Sequence, residues 1–431
     1  MVISIGISSA WIIFCAVLAI PWINDLSALF GLPLALLMVF GVALIPGWAN
    51  AYLIAGLLLD RRPIYTQHTQ LPPVSVLIAA YNEQECILET LHSVARQQYP
   101  GEVEIVVIND GSSDNTSAEI ERARKRLAGY PHIVLCPLDQ QPNQGKSAAL
   151  NYGLAAASHE ILVTVDADTT MYCDSLARLV TNLVDGPKNI AAVAGTVLVK
   201  NSRESLMGRL QEWDYFLGIA VVKRIQSLYL GTMVAQGAFS AYWRHAVEAV
   251  GGWENTVGED IVLTWALHKK GYRVNYAENA FVFTSVPETY GQFFRQRQRW
   301  ARGLIEAFVR HPDIIFKLRP YSPFVYLNLL FPYLDAAFLL FFLPGLIAAL
   351  FFEIYALVGI MTLALLPLMI LINAIMYFHQ RRIFRHHGLN IRRNLLGLLL
   401  YMFTYQTIMS PASLAGYLSE LLCFKKSWGT K

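Results

Sequence analysis

The sequence predicts an α/β domain, built on a Rossmann-like sheet, inserted between α-helical transmembrane segments. Three observations point there. Long apolar runs lie towards both ends of the chain, short apolar runs alternate with helix-prone stretches between them, and acidic motifs (IND at residues 108–110, VDAD at 165–168, GED at 258–260) punctuate that middle segment. Of 431 residues, 55% are hydrophobic and 15% charged, too apolar for an ordinary soluble protein and too charged for one lying wholly in lipid. A net charge of +3 leaves no nucleic-acid footprint, so no nucleic-acid partner is expected. Cys15, Cys86, Cys136, Cys173 and Cys423 show neither CxxC nor His-paired spacing, which points to reduced thiols and away from a disulfide framework or a zinc site.

The first apolar run, residues 2–23, has no basic start and no small-residue cleavage pattern, and a second run, 32–59, follows almost at once. The pair reads as a transmembrane hairpin over residues 1–62, not as a cleaved signal. No Lys or Arg precedes Arg61 and Arg62, so the positive-inside bias puts the next domain, and the amino terminus, in the cytoplasm. Apolar stretches near 324–352, 356–378 and 395–424 make a carboxyl-terminal membrane region, residues 323–431, with Arg381, Arg382, Arg385, Arg392 and Arg393 in an inside loop. Five full spans would send Lys425 and Lys426 outside against the same bias, which leaves a re-entrant or interfacial segment open. The lipid bilayer, specifically the inner (plasma) membrane, is the expected location, crossed several times.

Between the membrane regions, VSVLIAA, VEIVVIND, HIVLCPL, EILVTVD and AAVAGTVLV alternate with helical stretches over a domain spanning residues 63–290. This is the pattern of a parallel-rich sheet covered by helices, in which ligands bind beyond the carboxyl ends of the strands. Asp110 and Asp166 each end such a run and should face one crevice. The GSSDNT turn after Asp110 exposes backbone amides that suit a nucleotide, although taken alone it reads first as an N-cap and loop. Lys146 opens a helix-like run, where it can meet a phosphate or remain a surface lysine. Asp166 and Asp168, on alternate positions after a strand, can ligate a divalent cation whose other ligands a diphosphate supplies. Glu259 and Asp260 open a helix, as a cap or as a general base near an acceptor hydroxyl. Residues 236–240 read as a loop, followed by a helix-prone stretch. Over residues 291–322, Phe293, Trp300, Leu304 and Phe308 recur at helical spacing while arginines fall elsewhere, an interfacial amphipathic helix.

In one order the chain carries AAYNE (79–83), INDGSSDNT from Ile108, NQGKSAALNYG from Asn143, DAD, QGAFSA from Gln236, GED and QRQRW. This set resembles the processive, inverting, membrane-integrated family 2 glycosyltransferases with a GT-A domain, namely cellulose, chitin-oligosaccharide, hyaluronan and poly-N-acetylglucosamine synthases. VPET at 286–289 and the two leading spans look closest to the poly-β-1,6-N-acetylglucosamine synthases, which make biofilm exopolysaccharide. No appended cyclic-dinucleotide domain is expected after Leu395.

The resemblance implies a UDP-sugar donor, a growing polysaccharide acceptor, and Mg2+ or Mn2+ held by Asp166 and Asp168. It implies a uridine pocket lined by Ala79, Glu83, Asp110 and Lys146, with Asp110 towards uracil and ribose. Asp260, beside Glu259, becomes the base; Gly237 and Ala238 belong to the loop beside the acceptor. Gln296, Arg297, Arg299 and Trp300 support diphosphate and acceptor, with Trp300 on a sugar ring. UDP-N-acetylglucosamine is the expected donor, polymerised and passed across the membrane, with room for a small membrane partner subunit. Rival readings are transfer of one sugar to a polyprenyl phosphate, or a β-glucan or hyaluronan product. A nucleotide-binding transporter would need ionisable groups in its spans, and Asp335 and Glu353 are the main ones present. Tyr326, Tyr333, Trp213 and Tyr215 are candidates for an aromatic sugar path or for interface anchors. GED stands where many members have TED, and only a change in capping is expected from it.

Overall fold

A computed structural model describes residues 2–60, 68–359, 361–391 and 393–424; Arg61, Arg62, Arg392, Lys425 and Lys426, which carried part of the orientation reading, lie outside these. The middle segment forms one eight-stranded sheet in the order β3-β2-β1-β4-β7-β6-β8-β5. The strands are β1 (Val74–Ala80), β2 (Val103–Asp110), β3 (Ile133–Gln140), β4 (Ile161–Val165), β5 (Thr169–Met171), β6 (Ile190–Val199), β7 (Phe239–Trp243) and β8 (Arg273–Thr284). The first four in spatial order are parallel, whereas β7 runs antiparallel to both β4 and β6. The sheet is therefore mixed, and the α/β fold class stands.

Period-two alternation divides the sheet's side chains between two cores. Val76 and Ile78 pack with Leu91, Val94, Leu179 and Leu183, while Leu77 points the other way towards Leu150, Leu154 and Leu263. All eight residues of β2 are buried, as befits a parallel strand covered on both faces. The carboxyl ends of β1, β2 and β4 consequently open along one edge, and that edge carries Ala79, Asp110 and Asp166.

Strand β7 corrects the reading of residues 236–240 as loop, since Phe239 and Ser240 already pair with Val165 and Thr164. Its five residues are too few to show alternation against the helix-prone stretch that follows. Antiparallel pairing on both sides decides its conformation.

Four helices among the described residues are long and apolar enough to cross a membrane: Ile3–Phe30, Leu32–Leu58, Ser322–Phe352 and Leu395–Leu421. The stretch expected at 356–378 lies instead in the helix Met361–His386, which is not one of these four. Its carboxyl-terminal part docks on the α/β domain: Gln380 donates to the Phe216 carbonyl (3.1 Å), and the Phe384 ring packs on Phe216 and Phe281.

The second span reaches the domain through a buried ion cluster. Arg224 holds Asp60, the last described residue after that span, with Nη2–Oδ1 2.6 Å and Nε–Oδ2 2.8 Å, and lies 3.4 Å from Glu278 of β8. Arg224→Met would strip two buried carboxylates of their guanidinium. A loss of about 3–5 kcal/mol is expected for a broken buried pair, readable as a lowered unfolding transition of the detergent-solubilised chain; an unchanged transition would refute the cluster's weight.

Candidate active site

Three tight turns build the nucleotide side of the crevice. Asn82 (φ 56°) accepts from the Ser113 N–H through Oδ1 (2.8 Å), the Asn82 N–H donates to Ser112 Oγ (3.0 Å), and the Glu83 N–H donates to Thr116 Oγ1 (2.8 Å). The AAYNE and GSSDNT turns are thus one locked unit. Asp110 is buried, and its carboxylate accepts from Gln140 Nε2 (2.8 Å), Asn143 Nδ2 (2.9 Å), Gln144 N–H (2.9 Å) and Gly145 N–H (2.8 Å). Placed towards uracil and ribose by the motif, it spends its acceptors in this structure on the Gln140–Gly145 loop. That loop delivers Lys146. Gly145 sits at φ 91°, the left-handed region glycine enters at little cost, immediately before the helix Lys146–Ala156.

Lys146 brings the acids together. Its Nζ lies 2.6 Å from Asp166 Oδ1 and 3.2 Å from Glu259 Oε1. Burial alone would lower its pKa, but Asp166, Glu259 and Asp260 outweigh burial and raise it above the ordinary lysine value. Asp168 accepts from Thr284 Oγ1 (3.1 Å), and burial, then the nearby charges of Asp166 and Glu83, push its pKa up to about 6. Burial also raises Glu259, Asp260 adding to it and Lys146 and Arg299 opposing it.

Among the described residues, no group of three His, Cys, Asp or Glu side chains stands ready to hold a metal. Two carboxylates, one with its pKa raised by burial and by the acids beside it, nevertheless make a donor set that a divalent cation would relieve. Asp166 and Asp168 fit Mg2+ or Mn2+, provided a diphosphate completes the shell.

The Gly258–Asp260 turn meets the QRQRW helix, Tyr290–Arg310, by direct backbone contact. A Cβ at Gly258 would lie 2.6 Å from the Gly303 Cα. Gly258 offers no capping side chain to the helix Glu259–Lys269; Glu306 supplies the acceptor instead, taking the Val257 N–H (2.7 Å) and Gly258 N–H (3.0 Å) on Oε2. The GED spelling therefore reflects helix-to-turn packing beyond the change in capping that was expected. On the other side of Asp260, the Gly237 N–H faces Asp260 Oδ2 at 3.4 Å, and the Ala238 carbonyl accepts from the Asp166 N–H at 3.4 Å.

The QRQRW residues divide. Arg299 lies close enough to influence Glu259 and Tyr215, and its Nε, like Gln296 Oε1, is buried without a hydrogen-bond partner. Arg297 does not join the carboxylates: it is buried, pairs with Asp214 Oδ2 (2.9 Å) and stacks over Trp300 at 4.1 Å. Trp300 remains 40% exposed, leaving part of its ring available. The helix is fastened to the span Leu395–Leu421 by Gln298 Nε2 to Ser419 Oγ (3.2 Å) and Arg302 Nε to Glu420 Oε2 (3.1 Å), with Gly416 admitting the close approach. Of the candidate aromatic path, Tyr333 donates to the Leu37 carbonyl (2.5 Å), Tyr326 to Ile315 (3.0 Å) and Trp213 to Asn394 (2.8 Å), which suits anchoring. Tyr215 is the exception, buried near Arg297, Asp168 and Arg299, its pKa pushed up to about 12 chiefly by burial.

Residues 75–251 match the Glycosyl transferase family 2 profile. The chain is 37% identical over 248 residues to the poly-β-1,6-N-acetyl-D-glucosamine synthase of Staphylococcus epidermidis, a match covering 57% of this chain and 58% of that protein. The Staphylococcus aureus (strain COL) synthase of the same name is 36% identical over 242 residues, 56% of this chain and 57% of the relative. The matched stretch thus spans under two thirds of these relatives. The solved structure of the mannosyltransferase PcManGT from Pyrobaculum calidifontis, in complex with GDP-Man and Mn2+, superposes over 94% of this chain and 99% of that one, with TM-score 0.59 and 21% identity. It shares the fold. The GT-A-like architecture between apolar helices and the similarity to poly-N-acetylglucosamine synthases read from the motifs are borne out.

Gly258→Thr should force the turn and the QRQRW helix apart, costing about 1–3 kcal/mol as overpacking does. Thermal unfolding measures it, and a variant as stable as the parent would show that the contact yields freely. Cation-supported UDP binding should weaken as pH falls through about 6, because Asp168 is then protonated and ceases to be a ligand. Calorimetric titration at pH 7.5 and 5.5 with Mn2+ tests this; equal affinities would remove Asp168 from the ligand set.

Proposed function

We propose that the protein is a processive, inverting glycosyltransferase that polymerises a UDP-sugar, UDP-N-acetylglucosamine first among candidates, into a β-linked polysaccharide and passes it across the membrane. One observation carries the reading. Asp166, Asp168, Lys146, Glu259 and Asp260 converge beneath a helix that is itself bolted to a membrane-length span.

In this reading Asp260 takes the proton of the acceptor hydroxyl as its oxygen bonds to the donor's anomeric carbon from the face opposite the departing diphosphate, so configuration inverts. The bond from that carbon to the UDP oxygen breaks, and UDP leaves. A divalent cation on Asp166 and Asp168 would offset charge on the leaving diphosphate. Lys146 and Arg299 contribute fixed positive charge to the same end. Ala79 and Glu83 border the uridine, Asp110 sets the loop that positions Lys146, and Gly237 and Ala238 lie beside the acceptor. Gln296 and Arg299 meet diphosphate or acceptor with their unpartnered buried atoms, Trp300 offers its exposed face to a sugar ring, and Arg297 orients Trp300. The α/β domain faces the cytoplasm from the inner (plasma) membrane, and exposed apolar side chains on the spans meet lipid and a small membrane partner subunit.

Asp260→Asn should lower transfer by about 100- to 10,000-fold, the range of a lost general base, while UDP binding persists. Membranes containing the protein, given several UDP-sugars and a divalent cation, should make long product only with the true donor, and linkage-specific glycosidases then identify the bond. Normal synthesis by Asp260→Asn refutes the base assignment; single-sugar lipid products refute processivity.

A further inference from the structure

Lys223 lies on the helix Ala220–Ser227, 8% exposed, and among the described residues no carboxylate reaches ion-pair distance of its ammonium. A buried cation without a counter-ion is costly, so its partners are informative. Nζ donates to the Val234 carbonyl (2.8 Å) and to Gln236 Oε1. Gln236 in turn donates from Nε2 to the Gly195 carbonyl (2.6 Å), so both ends of this side chain are committed to the protein, and its main-chain oxygen accepts from Ser240 Oγ (2.7 Å).

The loop so held has two outlets. The Ala235 N–H donates to Thr264 Oγ1 (2.9 Å), whose hydroxyl donates to the Asp260 carbonyl (2.7 Å), and the Gly237 N–H faces the Asp260 carboxylate. Gly237 is also wedged against the acid cluster, since a Cβ there would lie 2.8 Å from Lys146 Nζ. Burial pushes the Lys223 pKa down to about 7, against an opposing pull from Asp260. That pull places the ammonium within the field of the residue read as the base.

We propose that Lys223 is a positioning residue for the transfer step, fixing the Val234–Ala238 loop and, through it, the Gly237 N–H against Asp260. The inference rests on the glycosyl-transfer reading above. A methionine of similar length would fill the space without donating, and the loop would lose its tether.

The full chain in lipid nanodiscs tests this, with turnover of UDP-N-acetylglucosamine and calorimetric UDP binding measured for wild type, Lys223→Met, Gln236→Met and the double variant. Lys223→Met should lower kcat on the order of 10- to 100-fold, as small misplacements of reacting groups do, and leave KM and UDP affinity unchanged. The double variant should be no slower than the slower single, because both residues act through one loop. Unchanged kcat, additive losses, or a joint fall in UDP affinity and thermal stability would each overturn the proposal. Absence of transfer by the wild type from a panel of UDP-sugars would remove the functional reading itself, whereas an active wild type beside an unimpaired Lys223→Met removes only this inference.

Discussion

One lysine, shared by acids from two parts of the chain, is the interaction on which the site depends. Asp166 leaves the parallel half of the sheet and Glu259 opens a helix in the mixed half; without a cation between them, the half-buried Asp166 and the buried Glu259 would repel across a medium that screens less than water does. Lys146 joins the halves at that point. Burial, with the neighbouring charges of Asp166 and Glu83, keeps the Asp168 pKa above the ordinary carboxylate value. If the proposed function holds, a site poised in this way would gain stability when a cation and a nucleotide diphosphate arrive together, which would couple donor binding to order in the pocket.

The second constraint is mechanical. The QRQRW helix touches the turn that bears Asp260 through glycine-to-glycine contact, caps it with Glu306, and is tied by Gln298 and Arg302 to the helix Leu395–Leu421. The position of the QRQRW helix and the position of Asp260 are therefore one variable. This accounts for why the arginines of the motif take different tasks: Arg299 faces the acids, while Arg297, two residues away on another face of the helix, braces Trp300 and Asp214.

Much of this was legible in the sequence because its signals are local. Apolar runs closing on Asp110 and Asp166 give the parallel strands and their open edge, DAD and GED name acids by adjacency, and uninterrupted apolar runs announce membrane-length helices. What escaped depends on contacts between distant segments. Glu306 is an ordinary helix residue until the fold brings it to Gly258, and Lys223 is an ordinary lysine until Val234 and Gln236 close over it. Strand β7 is five residues long and owes its conformation to neighbours on both sides. Asp110 shows a further limit, since its place at a strand end is readable but the four donors that occupy it come from a loop some thirty residues later.

The trans-cap by Glu306 has a practical consequence. A fragment cut before residue 290 would retain every acid of the pocket and all eight strands, yet its Val257 and Gly258 amides would lose their acceptor and the Gly258 backbone its opposing surface. Recombinant production of a shortened form would accordingly leave the turn that bears Asp260 slack while the interlocked Asn82 and Thr116 turns persist; amphiphile-stabilised preparations of the uncut polypeptide are the appropriate starting material for inhibitor screening.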